Sequence, residues 1–185
     1  MSLDVNKLYH EFLRWFRTGD IRSFEQAERR LSQVYHAYAS DAEDVSGDPV
    51  NNLDVRKFEG PLRFRGSKTA RQLAQQIDDA FVAYWTGVTF DTDIIPIDFP
   101  PCPNVGGSEA FSGELSSEVT DVTRRAMYSA VLPIFTKTSN TAEQAARKLA
   151  DEMDRVTTSA VTVLITGLDT STPTQVTVTN TCTVF

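Results

Sequence analysis

Apolar residues recur along this chain near the 3.6-residue period of a helix in some stretches and in strict alternation in others. Leu8, Phe12, Trp15 and Phe16 fall on one side of a first expected helix, and Lys7, Glu11, Arg14 and Arg17 take the other. That helix starts at Leu3 and ends near Thr18, with Gly19 as its stop. Ser23 and Gln26 stand at capping-box spacing, and Phe24, Ala27, Leu31, Val34, Tyr38 and Ala42 keep a three-four repeat, so a second helix is expected over 24–42. The period dissolves over 40–65 among acids, Gly47, Pro49, Asn51, Asn52, Gly60 and Pro61. This reads as a long loop with a short strand at 62–64. Ser67 caps a third expected helix, ended by Gly87, in which Ala70, Leu73, Ala74, Ile77, Phe81 and Tyr84 face inward.

Residues 88–113 are rich in Pro and Gly with apolar residues between, the composition of an extended arm laid against something else. A fourth helix is expected over 116–135 from Val119, Val122, Ala126, Ala130 and Ile134, with Pro133 kinking or shortening its end. Asn140 and Glu143 suggest another capping box, ahead of a fifth helix running through Ala146, Leu149, Met153 and Val156 to Ala160. The period then changes to two. Val161, Val163 and Ile165 alternate with Thr162, Leu164 and Thr166, and Gly167, Asp169 and Pro173 turn the chain into a final strand over 175–185. The expected fold class is mainly α within α+β: a helical bundle over 1–160 carrying the arm at 88–113, then a C-terminal β-hairpin or tail at 161–185.

In that last strand Val176, Val178, Cys182 and Val184 share one face, and Thr177, Thr179, Thr181 and Thr183 the other. A mostly helical body has little sheet of its own to receive it, so the expected receiver is a hairpin partner or another subunit. Full burial of its three valines would contribute roughly 5–9 kcal/mol, an upper figure because unfolded chains already hide some surface. The partner-binding candidates are therefore Val176, Val178, Cys182, Val184 and Phe185 in the tail, with Ile95, Ile97 and Phe99 in the arm.

With 185 residues, 41% hydrophobic and 23% charged, the chain can bury one core. A net charge of −7 disfavours direct binding of nucleic acid, yet an acidic surface lets DNA pass without sticking. Cys102 and Cys182 lie far apart without metal-ligand spacing and read as reduced thiols. His10 and His36 sit inside amphipathic helices with no second ligand nearby. Asp91, Asp93 and Asp98 form the one carboxylate group that invites a divalent cation, and a small metal-dependent enzyme built on it is the alternative from another class. Gly106 and Gly107 lack the Lys of a phosphate loop and are flanked by Glu109 and Glu114. No serine lies in a nucleophile motif, and the aromatics Tyr9, Phe12, Trp15, Phe16, Phe81, Tyr84 and Trp85 read as core at helical spacing rather than as a stacking platform. No catalytic residue, cofactor or metal is assigned. No apolar run has the length of a membrane span, and synthesis in a host cytoplasm is expected.

Four stretches taken together carry a resemblance: the N-terminal helical pair, AFVAYWTGVTF passing into the Pro-rich arm, the Ala-rich EQAARKLADEM and the tail TQVTVTNTCTVF. In outline the chain resembles small virion proteins of tailed bacteriophages, particularly the neck proteins that join portal, head and tail. The resemblance implies a head-to-tail connector, an adaptor forming a ring, commonly twelvefold, on the portal and beside other neck and tail proteins, with DNA passing through. Tail terminator, stopper and fibre-associated module are the alternatives. None of these has catalytic residues to carry over.

Overall fold

Side-chain caps set where the helices begin. The computed structural model describes residues 3–18, 23–44, 47–66, 69–91, 97–98, 110–111, 116–137, 141–169 and 176–184. Helix α1 covers Val5–Thr18 and buries Leu8, Tyr9 and Phe12. Helix α2, Phe24–Ala39, starts where the Ser23 hydroxyl accepts the Gln26 amide at 3.2 Å. A short helix α3, Val55–Glu59, is capped by Asp54. Helix α4, Ala70–Trp85, is capped by Thr69, and α6, Ala142–Ala160, by a complete capping box of Thr141 and Gln144. Between the last two stands α5, Ala126–Thr136. Its first turn is satisfied from outside: buried Asp78 on α4 accepts the backbone amides of Arg125 and Tyr128, each at 3.0 Å. Arg125 takes a left-handed φ of 65°, which turns the chain into the helix.

The strands are β1 (Thr89–Phe90), β2 (Ile97–Asp98), β3 (Ala110–Phe111), β4 (Ser116–Val122), β5 (Val161–Asp169) and β6 (Val176–Thr183). Four form an antiparallel sheet in the order β1-β4-β5-β6, and β2 pairs with β3 separately. The protein is thus mainly helical with a small antiparallel sheet. α6 passes into β5 without a connecting residue, so Val161, Val163 and Ile165 enter the same core that the helices fill.

At the centre of that core a polar chain crosses three helices. The Trp85 indole N–H donates to the Tyr35 hydroxyl at 2.8 Å, Tyr35 donates to Thr157 Oγ1 at 2.7 Å, and Thr157 donates to the Met153 carbonyl at 2.8 Å. Tyr35, Trp85 and Thr157 are all fully buried. Tyr38 donates to Asp154 at 2.6 Å beside it, and Phe58 stacks 4.7 Å from the Tyr35 ring. Burial pushes the Tyr35, Tyr38 and Tyr84 hydroxyls far above the usual tyrosine range, so each keeps its proton to donate.

Several sequence expectations are corrected. Residues 116–122 form strand β4, not the start of a helix over 116–135. Val119 and Val122 are both buried although three positions apart, because the register shifts between Val119 and Asp121 and Thr120 is an extra residue. The bulge gives an alternating strand the spacing of a helix turn. The supposed loop over 40–65 contains α3, buries Phe58 and Leu62, and has a 3₁₀ turn at Phe64–Gly66 instead of a strand at 62–64. Asn52 ties it down, its amide oxygen accepting the Thr89 amide at 2.9 Å. Helix α2 ends at Ala39 rather than Ala42, although Ala42 is still buried. Thr69 and Thr141 take the capping roles expected of Ser67 and Asn140, which lie outside the described residues. Pro133 stands inside α5, which continues to Thr136. Residues 88–90, expected at the start of an extended arm, belong to the body instead, since Val88 and Phe90 are buried and β1 pairs with β4; most of 91–113 lies outside the described residues.

Two outcomes follow. Tyr35→Phe removes the middle of the polar chain and strands the Trp85 N–H, so it should cost about 1–3 kcal/mol in chemical denaturation, far more than a surface tyrosine. His36 is the pH-sensitive element: its Nδ1 lies 2.8 Å from the Tyr84 hydroxyl, which has a proton to donate, and burial lowers the His36 pKa more than Asp54 raises it. A lowered folded value means that the unfolded chain takes the proton first as pH falls. The stability carried by neutral His36 is present above its unfolded value of about 6.5 and declines below it. Thermal melts should show a smaller loss between neutral and mildly acid pH in His36→Gln than in the native chain.

Candidate assembly interface

The sheet has two unlike edges. Alongside β1 runs the segment 49–51, whose Asn51 amide donates to Thr89 and whose Pro49 carbonyl accepts from Asp91, each at 2.9 Å, so that edge is covered. At the other edge is β6, the strand VTVTNTCT, whose outer backbone groups have no partner among the described residues. The usual devices that blunt such an edge are Lys, Pro, Gly or a bulge. β6 has none of these residues, no charge of either sign and an unbroken register with β5. The β5–β6 ribbon also outruns its neighbour: Gly167, Leu168 and Asp169 pair with Val178, Thr177 and Val176, while β4 reaches only to the partner of Thr166.

The candidate residues fall into three groups. Val176, Val178 and Cys182 lie in β6, paired with Asp169, Gly167 and Val163, and Ile97 lies in β2 opposite Phe111. Val184 is 0% exposed within this one chain, inside the core cluster. A residue already out of water in the single chain gains little further apolar burial from a neighbour, so its packing is intramolecular. The terminal strand pairs with β5, the strand expected beside it, and the difference from the sequence reading is the further sheet, β4 and β1, behind that pair. Phe185, Ile95 and Phe99 lie outside the described residues, as do Asp93, Cys102, Gly106 and Gly107. Asp91 accepts a hydrogen bond from the Asn51 side-chain amide, and no group of three His, Cys, Asp or Glu able to hold a metal occurs among the described residues.

One feature was hidden in the sequence. Trp15 and Phe16 at the end of α1, Phe24 at the start of α2, Phe64 in the 3₁₀ turn, Leu73 on α4 and Phe135 at the end of α5 line an open groove of about 520 Å³. Phe24 is 55% exposed, the one large hydrophobic so exposed among the described residues. The three-four repeat had placed Phe24 with the core. Its position as the first residue after the cap, beyond the last turn that packs, is the signal that sets it apart. A scan against protein-family models and searches of curated proteins and solved structures find no match to this chain.

Truncating Val184 separates packing from docking. Val184→Ala should lower unfolding stability by about 1.5–3 kcal/mol without a change in association measured at concentrations where both chains are folded. A residue whose role is at a partner contact would show the reverse.

Proposed function

We propose that this chain is a structural subunit that assembles with copies of itself into a ring, placed in the neck of a tailed-phage virion as a head-to-tail connector of the adaptor kind. The observation that carries the assembly reading is the uncharged outer edge of β6, unpaired among the described residues, with a ribbon that outruns the rest of the sheet. Unpaired strand edges offer main-chain donors and acceptors to another chain, and alternate side chains then set register. The Pro-rich stretch within 88–113 and the C-terminal hairpin are on this reading the two parts that reach neighbouring copies and a portal. Placement in the neck is supported by the outline resemblance described above, and the twelvefold number follows from that resemblance alone. A net charge of −7 suits a ring through which DNA moves without adhering. The role is to join subunits, with no catalysis assigned.

Electron microscopy and sedimentation of the purified full-length chain test this directly. Closed rings that bind a phage portal in a pull-down are the expected result. A chain that stays monomeric up to its solubility limit ends the assembly reading, and rings that ignore portals end the neck placement alone.

A further inference from the structure

We infer that the groove lined by Trp15, Phe16, Phe24, Phe64, Leu73 and Phe135 receives residues 92–109 of a second copy, joining subunits head to tail; this deepens the ring-forming reading and rests on it for its biological setting. The groove is apolar and its floor is made of rings, the surface on which Pro-rich segments dock, because prolines fix φ in advance and lose little freedom on binding. Residues 92–109 carry four prolines, Pro96, Pro100, Pro101 and Pro103, interleaved with Ile94, Ile95, Ile97, Phe99 and Val105.

Charge selects the same occupant. Among the described residues, no Asp or Glu lines the groove or the cleft that adjoins it through Trp15, whereas Arg14, Arg29 and Arg30 do line that cleft. Glu11 is shared between Arg14 at 2.8 Å and Arg30 at 2.9 Å, so one carboxylate faces two guanidiniums and a positive charge is left over. Arg29 reaches Glu59 only at 3.9 Å. Residues 92–109 hold Asp93, Asp98 and Glu109 and neither Lys nor Arg. An acidic, apolar, Pro-rich segment thus meets a basic-rimmed aromatic groove within one sequence.

The two ends of α4 favour a contact between copies. The groove sits at the N-terminal end of α4, with Thr69, Ala70 and Leu73, and the arm leaves the opposite end through β1. The 16 residues of α4 separate these ends by about 24 Å. The β2–β3 pair holds 97–98 to 110–111, and β3 packs near β5 at the sheet end. An arm at one end and its receptor at the other make a heterologous contact, the kind that repeats around a ring.

Two full-length variants test this by complementation in sedimentation velocity. Phe24→Glu disables the groove at an exposed position, and the combination Ile94→Ser, Ile95→Ser and Phe99→Ser disables the arm; circular dichroism should show both folded like the native chain. The native chain should assemble, each variant alone should sediment as a monomer, and an equimolar mixture should double in mass and stop there, because only one good arm and one good groove remain per pair. The inference is overturned if Phe24→Glu assembles like the native chain, if the mixture stays monomeric, or if the arm variant alone dimerises groove to groove. Rings formed by Phe24→Glu would sink this contact and leave the ring proposal standing, whereas a monomeric native chain would sink both.

Discussion

The buried hydrogen-bond chain from Trp85 through Tyr35 and Thr157 to the Met153 carbonyl is the constraint on which the rest of the arrangement depends. It ties α4, α2 and α6 together at single atoms, and each donor in it has one acceptor. Packing alone would let the three helices slide by fractions of a turn with little change in buried area, because dispersion and burial are non-directional. A polar chain in an apolar core does not slide: a shift leaves an indole N–H or a hydroxyl without a partner in a medium that cannot replace it. The consequence reaches the sheet. Trp85 ends α4 just before Gly87, at φ 72°, turns the chain toward β1, and Thr157 precedes by one turn the point where α6 becomes β5. Fixing these helices relative to one another fixes where β1 and β5 begin, and β4 between them is placed by both.

Asp78 does for α5 what the polar chain does for the other three. A helix whose N-terminus follows a left-handed residue has no side chain of its own to cap it, and Arg125 offers none. The buried carboxylate on α4 supplies both acceptors and holds a negative charge at the positive end of the helix dipole. The two amides repay its desolvation, and together they lock α5 against α4 at the end where β4 enters.

Much of this was legible in the sequence, and where it was not, the reasons are local. The helices were readable because Leu8 and Phe12, Leu31 and Tyr38, Ile77 and Phe81, Leu149 and Met153 keep the period of a face that must be buried. Strand β4 was misread because one bulged residue, Thr120, puts Val119 and Val122 on the spacing of a helix. α3 was missed because five residues between Asp54 and Gly60 are too few to show a period, while Asn52 nearby looks like loop and in fact binds the backbone of Gly87 and Thr89 through its side chain. What the sequence hid was the sheet behind the β5–β6 pair: with residues 116–122 counted as helix, that pair had no further strands beside it. Burial of Val184 followed from that sheet and could not be read from the tail. Asp78, spaced like any exposed acid, carried no sequence signal of its partner 47 residues away.

The body has a direction. The sheet strand β1 follows the C-terminal end of α4, and the aromatic groove lies at its N-terminal end, beside Trp15 and Phe16 at the end of α1, Phe24 at the start of α2 and Phe135 at the end of α5. On the proposed reading, an arm and a groove on one subunit are either exchanged reciprocally across a two-fold axis or passed on to a neighbour displaced and rotated in the same sense. Only the second arrangement makes a ring, and whether that series closes depends on the rotation at each step. Rigidity therefore matters more than affinity at any one contact, because a few degrees of slack per subunit accumulate around the circuit. A core pinned by directional hydrogen bonds rather than by burial alone resists such slack, which on the proposed reading links the buried Tyr35 hydroxyl to the geometry of the ring.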